Sequence, residues 1–194
     1  MIAFIDALRR VHDGFFNALD RATDRWFFSL LARFVFASTL YIYYLNSAKT
    51  KIGDGLFGFL HITDGAYIQI VGPAFEAAGY DSSALPLPAH IMVVMGTYGE
   101  FIMPVLVILG LFSRIGAAGM IVFILVQTYV DATAHQVVLG ALINGQPSEI
   151  LDQRLYWIVP LVYVMLKGGG TISLDTLLSR WWDRRLERWE THRA

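Results

Sequence analysis

The chain has 194 residues, 56% hydrophobic and only 16% charged, with a mean hydropathy of +0.52 and a formal net charge of −1. Soluble domains carry roughly 25% charged residues; here the deficit falls in long apolar runs, which point to a multi-pass membrane protein. The absence of cysteine excludes disulfides, iron–sulfur ligation by this chain and thiol chemistry of its own.

Taken in order, residues 1–25 are too polar for a cleaved signal peptide and lack a small-residue cleavage site. Ile5, Leu8, Phe15 and Leu19 recur at loosely helical spacing, so an amphipathic segment at the membrane interface is expected. Docking on a partner subunit is the alternative. The first span is expected over about 26–45, interrupted by Arg33, and serves as the insertion signal. A long, partly apolar outer loop follows. Pro73 and several glycines prevent one continuous helix there, so one or two short helices capping the bundle are expected.

The second span, about 89–112, contains a single acid, Glu100. The third covers about 115–131, and Val137–Ile143 is too short to cross. The fourth is the least apolar. Leu155–Leu166 must extend back through Asp152, Gln153 and Arg154 to give a span over 150–167, with Arg154 snorkelling to the interface. Gly168–Gly170 break the chain before a tail, 168–194. There Leu174, Leu177, Leu178, Trp181, Trp182 and Trp189 share one helical face, with Ser173 as N-cap. The expected fold is all-α: a four-transmembrane-helix bundle with amphipathic interfacial helices at both termini and a long outer loop. Backbone groups in lipid must be satisfied internally, so the spans must be helices.

Lys and Arg concentrate in the N-terminal segment, at Arg114 and in the tail. This places both termini and the Ser113-Arg114 turn in the cytoplasm of a bacterial inner membrane, with the loops 46–88 and 131–154 outside.

A carboxylate in a span costs several kcal/mol by most estimates unless it is paired, protonated or employed. At 1.5 Å per residue, Glu100 and Gln127 both lie about 18 Å from the cytoplasmic edge. Asp131 and His135 continue the Gln127 face at i+4 and i+8, and Tyr41 and Tyr44 reach the same outer half. Glu100 and His135 are the candidate proton-exchanging groups, and Tyr44, Gln127 and Asp131 are candidates for a ligand pocket. A structural alternative pairs Glu100 with Arg33, whose depth differs by roughly 8 Å, near the limit of an Arg side chain. A metal or haem site from His90, His135 and Asp131 or Glu100 would need a convergence that spacing does not show, so no metal is expected. Asn46, Lys49 and Lys51 cluster at the outer end of the first span, as interfacial anchors or an anion site.

The stretch GEFIMPVLVILGLFSRIGAAGM (99–120) resembles the signature of DoxX-type membrane proteins. LLARFVFASTLYIYYLNSAKTKI resembles that family's first span, and QRLYWIVPLVYVMLKGGGTISLD its fourth span and Gly-rich ending. The resemblance covers about Leu30 to Leu178. It implies a four-helix inner-membrane protein, with Arg33, Lys49, Glu100, Arg114 and Asp175 as family-typical positions. Some members are subunits of a thiosulfate:quinone oxidoreductase; others are associated with redox-stress or metal-handling operons.

The expectation is therefore a quinone- or redox-associated membrane subunit. Electrons would come from a partner membrane or periplasmic protein, because the chain has no cysteine, dinucleotide fingerprint or clear haem pair. The alternative is a non-catalytic accessory or scaffold subunit of a larger respiratory, photosynthetic or metal-handling complex. The expected surroundings are the lipid bilayer and a partner subunit, with homo-oligomerisation compatible and no nucleic acid. A carrier is disfavoured by the lack of inverted repeats.

Overall fold

The computed structural model describes residues 2–24, 26–137 and 149–191. The expectation for Val137–Ile143 falls mostly outside these residues. Helix α1 (Ile2–Thr23) leads into α2 (Phe27–Phe36), which continues through a π-helical turn (Ala37–Tyr41) into α3 (Ile42–Lys49). Helix α4 (Asp64–Ala77) lies in the long loop, followed by α5 (Leu87–Leu109), α6 (Ser113–Thr133), α7 (Glu149–Lys167) and α8 (Leu174–Thr191).

Among the described residues, three helical segments are long and apolar enough to cross a membrane: Phe27–Lys49, Leu87–Leu109 and Ser113–Thr133. Helix α7 has 19 residues and packs along α6 and α2, but its first two turns carry Glu149, Asp152 and Arg154. The core joins Phe36, Leu40 and Tyr44 from the first segment to Val107 of α5, Ala117, Met120 and Ile124 of α6, and Leu161 and Val164 of α7.

The π-helical turn solves a register problem. Phe36, Leu40, Tyr44 and Ala48 are all buried, a spacing of four. On a regular α-helix each such step drifts by roughly 40°. The wider turn takes up one extra residue and returns Tyr44 and Ala48 to the packed face.

Helix α5 ends at Gly110, whose φ of 64° is the left-handed conformation that suits a residue without Cβ. The Leu111 amide bonds back to the Leu106 carbonyl at 3.0 Å. A Cβ at Gly110 would stand 2.6 Å from Ser173 Cβ and 3.1 Å from Arg33 Cζ, so three parts of the chain meet here. In the long loop, α4 is bent at Val71, before Pro73. Short 3-10 turns at Gly58–Leu60 and Ser82–Ala84 flank it, and an isolated antiparallel bridge pairs Ile52 with Ile62.

Two expectations for arginine side chains are corrected. Arg33 does not approach Glu100. Its guanidinium donates to the Val107, Ile108, Gly169 and Ile172 carbonyls at 2.6–3.1 Å. The last turn of α5 leaves carbonyls without amide partners, and the five N–H donors of an arginine can serve several at once. Arg154 does not snorkel. It is 4% exposed and paired with Asp131 of α6. Arg154 lies seven residues before buried Leu161, on the same face of α7.

Candidate functional site: a cavity beside a buried ion pair

The polar residues gather at the end of the bundle opposite Gly110. Lys51, two residues beyond α3, turns inward. Its Nζ lies 2.9 Å and 3.2 Å from the two Glu100 carboxylate oxygens and donates to Ser47 Oγ at 2.8 Å. The side chains are 3% and 6% exposed, so this is a fully enclosed pair. Glu100 therefore has a partner, but it is Lys51 rather than Arg33. The family-typical Lys49 is exposed. No helical periodicity marks Lys51 in the sequence, because it lies two residues beyond the end of α3, where the turn after the helix brings it inward.

The pair forms one end of a cavity of about 480 Å³ between α3, α4, α5 and α6. Its apolar walls include Ile70, Met92, Met95, Met103, Val122, Phe123 and Val126. The polar groups of the lining are Ser47, Lys51 and Glu100, then Tyr43, Gln69, Gln127, Asp131 and His135. Gly96 and Gly119 lie in the lining, and a Cβ at Gly96 would come within 2.9 Å of Ile70 of α4. Helix α4 thus forms part of the wall and is more than a cap.

Of the expected site residues, Glu100, Gln127, Asp131 and His135 all line this cavity. Tyr44 does not. Its neighbour Tyr43 lines the space and accepts a 2.8 Å hydrogen bond from Gln127 Nε2. Tyr44 lies behind the wall, fully buried and edge-on to Phe123. Asp131 is occupied by Arg154, whose guanidinium also lies 5.9 Å from the Trp157 ring centroid. The arrangement can hold a mainly apolar molecule and present a carboxylate, a hydroxyl, an amide and an imidazole to its polar end. Its volume falls within the usual range for small-molecule pockets.

His90 does not join His135; its Nδ1 is 3.0 Å from the Tyr67 hydroxyl. No group of three His, Asp or Glu side chains able to hold a metal converges among the described residues.

At the Gly110 end, Asp175 accepts from the Phe112 and Ser113 amides at 2.6 Å and 2.9 Å and from Ser113 Oγ at 2.6 Å. It thereby caps α6 from the start of α8. Arg33 and Asp175 fasten the α5–α6 turn to the glycine-rich segment, away from the cavity. Arg114 is exposed.

Long apolar helices around a polar-ended cavity define a multi-pass helical membrane protein whose spans contact lipid. The DoxX family model matches residues 28–136, more than half of the sequence, and the chain belongs to the DoxX family. No curated protein and no solved structure matches the chain.

Proposed function

We propose that this protein is a quinone-associated inner-membrane subunit that exchanges protons at a quinone headgroup while a partner protein supplies or removes electrons. The supporting observation is the cavity: greasy walls for the ring, with the Lys51–Glu100 pair at the closed end and Asp131 and His135 further along. Converting a quinone to a quinol takes up two electrons and two protons. Glu100 and His135 are the residues here that can deliver protons. The electrons come through the partner, because the chain carries no cysteine and no dinucleotide fingerprint. In this reading α7 completes a four-helix bundle, both termini lie in the cytoplasm, and the cavity belongs to the outer half.

The test is the quinone content of protein purified directly into native-lipid nanodiscs. Stoichiometric quinone is expected for the wild type and a several-fold loss for Val126→Trp, which fills the cavity without touching the ion pair. Quinone retained equally by both proteins would rule the cavity out as its site.

A scaffold role is supported by a different feature. Helix α1 exposes Phe4, Ile5, Leu8, Val11 and Phe15, and α8 exposes Leu177, Trp181, Trp182 and Trp189. These faces suit the headgroup boundary or a partner's helices. Co-purification of a larger complex that disperses when residues 1–23 are removed, with quinone content unchanged, would favour that role.

A further inference from the structure

Five buried side-chain atoms have no hydrogen-bond partner among the described residues: Tyr44 Oη, Thr97 Oγ1, Gln127 Oε1, and Nε and Nη1 of Arg154. They are not scattered. Thr97 lies three residues before Glu100 on α5. Gln127 is one turn before Asp131, the partner of Arg154. Tyr44 packs edge-on to Tyr43 and to Phe123 of the cavity wall, with ring centroids 5.2 Å and 5.7 Å apart. Tyr43 links the set, bonded to Gln127 and packed on Trp157, the ring beside Arg154. More than nine in ten buried polar groups in proteins have a partner, so a cluster of orphans indicates bound water.

We propose that ordered water molecules join these atoms into a polar relay behind the cavity wall, with Tyr44 at its centre, connecting the Lys51–Glu100 pair to the Asp131–Arg154 pair. The inference rests on the quinone reading for its purpose. An apolar ligand filling the cavity expels the water there, and protons would then lose the direct way from Asp131 and His135 to Glu100. A route through the wall keeps the closed end supplied while the cavity is full. Tyr44 has the chemistry for this position, because its hydroxyl donates and accepts at once. Arg154 has two nitrogens, Nε and Nη1, without a partner while Nη2 binds Asp131. Tyr44 acts here as a positioning residue for water rather than as a group that touches the ligand.

Two measurements on ligand-free protein in nanodiscs test this, so they read the relay whether or not quinone is ever found. The first is an experimental structure at a resolution that shows water. Density within hydrogen-bond distance of Tyr44 Oη and of Arg154 Nε or Nη1 is expected. A dry interior, or rotated side chains that pair with one another, would overturn the relay. The second is the unfolding temperature of Tyr44→Phe. Removing a hydroxyl that bridges waters lowers the midpoint by a few degrees; removing a truly orphaned buried hydroxyl raises it. A raised midpoint would overturn the proposal. Tyr129→Phe, changing an exposed tyrosine of α6, serves as the control and leaves the midpoint unchanged.

Discussion

Lys51 and Glu100 neutralise each other in a place where neither would be tolerated alone. Attraction strengthens inside a low-dielectric bundle, but so does the cost of removing each charge from water. The pair is therefore not a simple gain in stability; it is a commitment that both partners must honour. Removing one partner of such a pair typically costs about 3–5 kcal/mol, because the other stays buried and charged. Lys51→Met is expected to destabilise by about that amount, and Glu100→Gln somewhat less, since the amide can still accept from Lys51. The double variant Lys51→Met/Glu100→Gln should recover much of the loss. Thermal unfolding of the three variants in one detergent checks this. Simple additivity of the two single effects would show that the residues are not coupled. The same reasoning explains why the cavity's other acid, Asp131, is matched by Arg154.

At the scale of elements, the α5–α6 turn is held by parts of the chain remote in sequence. Arg33 bonds to the last carbonyls of α5, and Asp175 bonds to the first amides of α6. Loss of an N-cap costs roughly 0.5–2 kcal/mol, so Asp175→Ala should lower stability by at least that much, since three hydrogen bonds disappear together. A left-handed residue with a Cβ costs about 1–2 kcal/mol. Gly110→Ala should exceed that figure because the new methyl collides with Ser173. Hydrogen exchange of the first turn of α6 distinguishes the two variants from general unfolding: protection there should fall before protection falls in mid-helix. Both residues lie far from the cavity, so ligand retention at moderate temperature should survive either change.

Periodicity made the spans legible, and the polar faces of α5 and α6 could be read from Glu100, Gln127, Asp131 and His135. The partners of those residues were less legible. Depth alone made Arg33 the natural mate for Glu100, because depth counts residues along one helix and says nothing of carbonyls offered by another. Lys51 was hidden beyond the end of its helix, where a sharp turn, and no periodic signal, carries it inward. Tyr43 and Tyr44 exchanged roles because a π-helical turn advances the register by one residue, and no composition rule announces such a turn.

For the whole molecule, the decisive question is which face of the membrane the cavity opens toward. The proposed orientation, drawn from the count of Lys and Arg, has the Gly110 end, with Arg114 and the α8 tail, in the cytoplasm. On that orientation the Lys51 end, with α4 over it, would lie outside, within reach of the proposed partner. A chain without native cysteine offers a direct assay, since any single introduced thiol is the only one present. Glu76, Arg114 and Asp183 are all exposed and lie on α4, the first turn of α6 and α8. In intact spheroplasts a membrane-impermeant maleimide should label Glu76→Cys. It should label Arg114→Cys and Asp183→Cys only after permeabilisation. The reverse pattern would turn the molecule over and give the cavity to the cytoplasm, so the electron-supplying partner would have to be sought there. Labelling of Arg114→Cys and Asp183→Cys from opposite sides would separate α8 from the turn that Asp175 caps, and would contradict the Asp175 hydrogen bonds themselves.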